Sequence, residues 1–260
     1  MTAVQAPDLA ADLERRFGGM RRLYGEAGYA RVRAARLAVI GVGGVGSWAA
    51  EALARSGVAA LTLIDLDHVA ESNINRQVQA LGSTLGMAKV LALAARIADI
   101  HPGCDVQCVE EFADAGNWPA LLPREVDAVI DACDQVRAKA ALAAWALVSR
   151  MPFVCVGAAG GKRLAQRVEV DDLAHATHDP LLAALRQRLR KQAGAARQGP
   201  IGLRCVYSRE SVRLPEGVAC ADDVQGNLAC HGYGSSVAVT ATFGLAAAGE
   251  ALEQVIARRA

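Results

Sequence analysis

Glycines 41, 43 and 46 give a G-x-G-x-x-G spacing directly after the apolar run Leu37 to Ile40. A strand that ends in such a turn and leads into a helix presents backbone N–H groups and the positive end of a helix dipole to an anion, so the chemistry on offer is phosphate binding. Asp65 lies 24 positions after Gly41 and closes the next apolar run, where a carboxylate accepts hydrogen bonds from ribose hydroxyls. These residues alone fit NAD and ATP equally, and also fit a tight turn with no ligand.

The segment after Asp65 separates the two nucleotides. Asp67, Ser72, Asn73, Asn75 and Arg76 make a polar, arginine-bearing loop beside the glycine turn, for which a dinucleotide site has little use. The triphosphate of ATP carries more charge than the pyrophosphate of NAD and calls for added cations, which Arg76 and Lys89 supply. For Lys89 the alternative is a solvent-facing lysine near the start of a helix. Asp131 and Asp134 close a later apolar run, Val126 to Ile130, on the edge where open α/β sheets bind ligands. A carboxylate there holds Mg²⁺ against phosphates.

Charge and cysteine usage limit the remaining possibilities. The net charge is +1, so any polyanion surface has to come from local clustering. One cluster exists: Arg186, Arg188, Arg190, Lys191, Arg197, Arg204 and Arg209 fall between Pro180 and Arg209 with no acid among them. A solvated helix face explains such a run as well as an RNA surface does. Seven cysteines at irregular spacing, with no C-x-x-C pair, predict a reduced cytoplasmic protein without structural zinc. Cys133 and Cys155 fall in or beside expected strands and read as packing residues, with a redox or sulfur-transfer role as the alternative.

These residues need a scaffold to bring them together, and the rest of the chain describes one. Apolar runs at Leu37–Ile40, Ala60–Ile64, Val106–Val109, Val126–Ile130 and Phe153–Val156 alternate with helical stretches at Ser47–Arg55, Thr84–Ile100 and Val136–Arg150. Continuous rather than alternating hydrophobicity in strands of this length predicts a parallel, doubly wound α/β sheet of Rossmann-like type. Before it, residues 8–34 read as helix with a break at Gly18-Gly19. Beyond Gly161 the pattern weakens to strands at Arg167–Val170 and Arg204–Ser208, a helix at Leu181–Ala193 and a patternless loop from Glu210 to Tyr233. Ser235 to Ala248 is almost uncharged yet shorter than a membrane span, so a buried helix is expected and no stable membrane insertion. The organisation expected is one unit over residues 1–260: a helical arm (1–35), a nucleotide-binding core (36–160) and a C-terminal part (161–260).

The run GVGGVGSWAAEALARSGVAALTLIDLDHVAESNINRQ, with GMAK at Gly86 to Lys89 and DACDQ at Asp131 to Gln135, resembles the ubiquitin-activating-enzyme-like (HesA/MoeB/ThiF) superfamily. RFGGMRRLYG at Arg16 to Gly25, DPLLAALRQRLR at Asp179 to Arg190 and CVYSRE at Cys205 to Glu210 are similar to its tRNA threonylcarbamoyladenosine dehydratase branch. The resemblance implies a homodimer and an ATP site built from Gly44, Asp65, the Ser72 to Arg76 loop, Lys89, Asp134 and Gln135. It implies that a threonyl carboxylate on tRNA is adenylated and then cyclised. Arg76 and Lys89 would neutralise the leaving pyrophosphate and Asp134 would hold Mg²⁺; the basic segment, with Arg186, Arg190, Lys191 and Arg197, is then the candidate tRNA surface, a role read from its charge and not from the resemblance. Relatives that activate sulfur carriers place an arm arginine near the partner's ATP, where this chain has Gly19, with Arg16 or Arg22 as stand-ins. Adenylation of the C-terminal glycine of a sulfur-carrier or ubiquitin-like protein is the enzymic alternative, which the missing zinc pairs disfavour. A cysteine desulfurase or sulfur-acceptor partner, a non-catalytic scaffold in that pathway and an NAD-dependent oxidoreductase are the other readings.

Overall fold

A computed structural model describes residues 12–213 and 233–258. Seven strands form one sheet: β1 (Arg36–Ile40), β2 (Ala60–Ile64), β3 (Asp105–Val109), β4 (Ala128–Asp131), β5 (Phe153–Val156), β6 (Val168–Asp172) and β7 (Arg204–Ser208). Their order is β3-β2-β1-β4-β5-β7-β6. All neighbours are parallel except β6, which pairs antiparallel with β7 at the edge. The order reverses direction between β1 and β4, and the crevice above that point is where doubly wound sheets bind ligands.

Both faces are covered, which is why β2, β4, β5 and all of β1 after Arg36 consist of consecutive buried residues. On one face Leu37, Val39, Leu61, Leu63 and Ile130 pack beneath α2 (Gly46–Ser56), α3 (Lys89–Ile100) and α6 (Val237–Ala257). On the other, Ala38, Ile40, Ile64, Val129, Phe153 and Cys205 meet α4 (Val136–Ser149) and α5 (Pro180–Gln192). The last helix, α6, returns to lie on α2, close enough that a Cβ on Gly244 would sit 2.5 Å from the Val45 carbonyl oxygen. β7 and β6 extend the same sheet, so the described strands beyond Gly161 are continuous with the core.

Local chemistry sets the helix ends. α2 stops at Gly57, whose φ of 83° only glycine adopts without strain, and whose N–H bonds back to the Ala54 carbonyl. α5 begins after Asp179, which accepts from the Leu182 N–H at 3.0 Å, with Pro180 in the first turn. The helix α1 (Leu13–Ala34) corrects one expectation: it runs straight through Gly18 and Gly19 and is interrupted at Gly25, where φ is 71° and ψ is 175°. A glycine in helical conformation costs only about 1 kcal/mol, so two of them do not force a break; a left-handed φ does. A second correction moves the start of the Thr84–Ile100 helix to Lys89. Gly82–Thr84 is a single 3₁₀ turn and Gly86, at φ 80°, separates it from α3. Residues 8–11 of the expected arm and most of the Glu210 to Tyr233 loop, with Cys220 and Cys230, lie outside the described residues.

Candidate nucleotide-binding site

The glycine turn, the loop after β2, the start of α3 and the loops after β3, β4 and β5 enclose a cavity of about 430 Å³ above the switch point. Each part of the glycine turn has a separate steric reason. Gly41 has φ 80°, and a Cβ on it would stand 3.0 Å from the Ala132 carbonyl oxygen. A Cβ on Gly46 would overlap the Gly41 carbonyl oxygen, so Gly46 shapes the turn from behind and does not line the cavity. Gly43 and Gly44 do line it. Gly44 lets Arg76 and Thr240 approach, with Arg76 Cδ 3.3 Å from the site of the missing Cβ.

Asp65 is buried at the end of β2. Its Oδ2 accepts from the Val42 N–H at 2.8 Å and its Oδ1 from the Asp67 N–H at 2.9 Å. Burial pushes its carboxyl above the ordinary aspartate range, although the Lys89 charge and the two amide donors oppose that rise. Lys89 is buried, not solvent-facing. Its Nζ stands 2.6 Å from Asp67 and 3.9 Å from Asp65, and its backbone N–H donates to the Asp67 carbonyl. The hairpin from Asp67 to Lys89 therefore closes on itself and aims the ammonium at the cavity floor.

The 72–76 loop is fixed by α2, because Trp48 Nε1 donates to the Arg76 carbonyl at 2.9 Å. Ser72, Asn73 and Arg76 line the cavity; Asn75 does not. The Arg76 guanidinium is held by the Ser72 carbonyl at 2.6 Å and by Asn75 Oδ1 at 2.9 Å, while Asn75 Nδ2 donates to the Ser235 carbonyl. Asn75 thus supports the arginine from behind. Asn73 Oδ1 accepts from the Ala70 N–H, which orders the same loop.

Of the two carboxylates at the end of β4, only Asp134 reaches the cavity, with Gln135 beside it. Asp131 is fully buried and paired with Lys139 at 2.9 Å. Among the described residues no group of three or more His, Cys, Asp or Glu side chains is arranged to hold a metal. A lone exposed carboxylate fits Mg²⁺ that takes its other ligands from nucleotide phosphates and water, which is how this ion is ordinarily held. Cys133 also lines the cavity, but burial and the Asp131 carboxylate 2.8 Å from its sulfur drive its pKa well up, so the thiolate is disfavoured.

Several lining residues carry no mark in the sequence: His68, Glu111, Phe112, Leu181, Thr240 and the Gly157–Ala159 turn. The turns after β3 and β5 follow from the rule that ligands bind beyond the C-terminal ends of parallel strands. Leu181 and Thr240 arrive from distant helices and have no local signal. Elsewhere, Arg16 donates to the Asp99 and Ile100 carbonyls at the end of α3, whereas Arg22 is exposed. Arg186 is turned inward, onto the Leu173 and Ala176 carbonyls at 2.9 and 2.8 Å, away from the company of Arg190, Lys191 and Arg197. Those three make no ion pair among the described residues. No described helix is long and apolar enough to cross a membrane.

The sheet, the cationic loop and the buried lysine at the switch point define a nucleotide-binding α/β protein in form, and the ThiF family sequence model matches residues 18–259. The chain belongs to the ThiF family. Within it, the tRNA threonylcarbamoyladenosine dehydratase of Escherichia coli (strain K12) is 42% identical over 254 residues, covering 94% of this chain and 95% of that protein. The protein of the same name from Haemophilus influenzae (strain ATCC 51907 / DSM 11121 / KW20 / Rd) is 38% identical over 250 residues, covering 95% of each. Among solved structures, the E. coli tRNA N6-threonylcarbamoyladenosine dehydratase in complex with ATP matches with a TM-score of 0.85 at 40% identity. That match covers 96% of this chain and 97% of the other.

Proposed function

We propose that this chain is an ATP-dependent tRNA threonylcarbamoyladenosine dehydratase. The observation that carries the reading is the convergence of the glycine turn, Asp65, Arg76, Lys89 and Asp134 on one cavity, in a chain similar over nearly its whole length to dehydratases of that name. The threonyl carboxylate attacks the α-phosphate of ATP, the bond to the β-phosphate breaks, and pyrophosphate leaves. A nitrogen of the same threonylcarbamoyl group then attacks the acyl-adenylate carbonyl, loses its proton and expels AMP. The nucleoside has lost one water, and ATP has become AMP and pyrophosphate.

Each residue has a part in that sequence. The glycine turn cradles phosphate, Asp65 takes the ribose, and Arg76 with Lys89 stabilises the charge that builds on departing pyrophosphate. Asp134 would hold Mg²⁺, whose charge would offset the repulsion between the phosphates and the incoming carboxylate. Nucleophile and electrophile share one side chain in the second step, so effective molarity replaces an enzymic nucleophile, with values of about 10⁵ to 10⁸ M in well-oriented cases. Arg190, Lys191 and Arg197 supply a surface for tRNA phosphates. A homodimer in the reduced cytoplasm belongs to the same reading, and the free cysteines support the compartment.

The test is pyrophosphate release from ATP with tRNA carrying threonylcarbamoyladenosine against unmodified transcript, with nucleoside mass analysis. Release confined to the modified tRNA, with loss of one water from the nucleoside, is expected. Release only with a small carrier protein ending in glycine would transfer the activity to sulfur-carrier adenylation.

A further inference from the structure

Behind the cavity wall, Asp131 and Lys139 form an ion pair with no exposed surface on either side chain. Lys139 Nζ stands 2.9 Å from Asp131 Oδ2 and also donates to the Asp131 carbonyl at 3.1 Å. The other carboxylate oxygen, Oδ1, accepts from the Cys133 amide at 3.2 Å and from its thiol at 2.8 Å. On the neighbouring strand β5, Cys155 Sγ lies 3.8 Å from Oδ2.

Folding stability does not account for such a pair. Replacing a fully buried ion pair by apolar side chains of similar size is often neutral or stabilising, because desolvation consumes the Coulombic gain. Lys139 is also at the fourth position of α4, and a cation near a helix N-terminus opposes the helix dipole. Two unfavourable placements therefore coincide at one residue.

What the pair does is shape the turn from Asp131 to Gln135. That turn is gripped from both sides. On one side the Ala132 N–H donates to the Ile40 carbonyl at 2.9 Å, and the site of a Gly41 Cβ is 3.0 Å from the Ala132 carbonyl oxygen and 3.1 Å from the Cys133 nitrogen. On the other side the Asp131 carboxylate takes the Cys133 donors, and Lys139 anchors that carboxylate. All four residues of the 132–135 turn line the cavity, and Asp134 supplies its one carboxylate there.

We propose that the buried Asp131–Lys139 pair is a positioning device, which sets the 132–135 turn against the glycine turn so that Asp134 meets the nucleotide and its metal. The inference rests on the nucleotide reading above. Asp131 and Lys139 touch neither substrate nor cavity; they act through Asp134.

The test compares wild type with the apolar double variant Asp131→Leu/Lys139→Met, using Mn²⁺ as the metal probe. Thermal melting reports folding, calorimetry in EDTA reports ATP affinity without metal, and electron paramagnetic resonance reports Mn²⁺ binding to the protein–ATP complex. The double variant is expected to melt within a few degrees of wild type and to keep ATP affinity in EDTA within about threefold. Its Mn²⁺ affinity falls by about tenfold, the effect of losing a group that orients a metal ligand. Unchanged Mn²⁺ affinity in the folded variant overturns the proposal, and so does a parallel loss of ATP and Mn²⁺, which would mark a general scaffold. Should the double variant not fold, Cys133→Ala removes one hydrogen bond to Asp131 and is expected to weaken Mn²⁺ by about twofold; no change there overturns it too. A wild-type protein that binds no ATP would overturn the nucleotide reading itself and this inference with it, a failure visible before any variant is made.

Discussion

Lys89 and Asp67 face each other at 2.6 Å on the cavity floor, the lysine buried and the aspartate side chain more than half exposed. On the proposed nucleotide reading, an arriving phosphate competes with the solvent-side carboxylate of Asp67, while Asp65 keeps its longer contact with Lys89. Removing the cation and removing its exposed partner should therefore have unequal effects. Lys89→Met is expected to lower turnover by about 10²-fold or more, as loss of a preorganised charge does. Asp67→Asn is expected to stay within about threefold of wild type, because an ion pair with one half in water contributes little. Pyrophosphate release at saturating ATP, with near-ultraviolet circular dichroism as the folding control, separates the two.

Acid should weaken nucleotide binding through Asp65. Its carboxyl titrates above the ordinary aspartate value of about 4, since burial outweighs the opposing Lys89 charge and amide donors. As pH falls through that raised value the group gains a proton and no longer accepts freely from ribose hydroxyls. ATP affinity is expected to start falling at a higher pH than an exposed aspartate would give, and Asp65→Asn to bind weakly without that pH dependence. The same shift has the opposite sense for stability: the folded state holds this proton more readily, so the contribution from Asp65 diminishes as pH rises through the folded value. Calorimetry from neutral pH down through the ordinary aspartate value of about 4 checks the first sign, and denaturant melts over the same span check the second.

Two glycines of the turn should fail differently. Gly46→Ala has no room beside the Gly41 carbonyl, which is backbone and cannot swing away, so a loss of more than about 2 kcal/mol in chemical denaturation is expected. Gly44→Ala meets the flexible Arg76 side chain at 3.3 Å and should fold. Its loss should appear in turnover, because the methyl displaces the Arg76 side chain.

The basic segment should divide by how each side chain is held: Arg186 donates to two part-buried carbonyls, Arg190 makes a single exposed bond to the Ala196 carbonyl, and Lys191 and Arg197 make none among the described residues. Neutralising Arg190, Lys191 and Arg197 to glutamine is expected to weaken tRNA uniformly across sequences and to flatten the salt dependence by about one unit for each cation that had met a phosphate. Arg186→Gln is expected to reduce stability by about 1–3 kcal/mol, since two buried-side carbonyls lose a charged donor. Filter binding across a salt series, beside thermal melts, distinguishes these outcomes.

The parts of the site that could be read from sequence are those in which chemistry and chain order coincide. Gly41, Gly43, Asp65 and Arg76 lie within 36 positions of one another, and their spacing carries the strand-turn-helix geometry with it. Lys89 was legible as a residue but not as a position, because the left-handed Gly86 moves the start of α3 five residues past Thr84. Thr240 and Leu181 could not be read at all: they are ordinary helix residues until the sheet order brings α5 and α6 to the crevice. Arg186 misled for a related reason. A positive charge in a basic run looks fully available for RNA until the carbonyls of Leu173 and Ala176, ten and more residues away, engage its Nη1. The Gly18-Gly19 pair shows the converse, since composition marks a break only where φ departs from the helix, and here that residue is Gly25.

The contact of Gly244 with Val45 and Trp48 places the final helix of the chain directly on the helix that follows the glycine turn. During synthesis the first half of the protein leaves the ribosome with that surface bare, at a rate of about 5–20 residues per second. Trp48, which fixes the Arg76 carbonyl, gains its packing against α6 only when the last segment has emerged. Because Thr240 of α6 also lines the cavity, a nascent chain stalled before α6 is expected to present an unfinished nucleotide cavity, however complete its glycine turn.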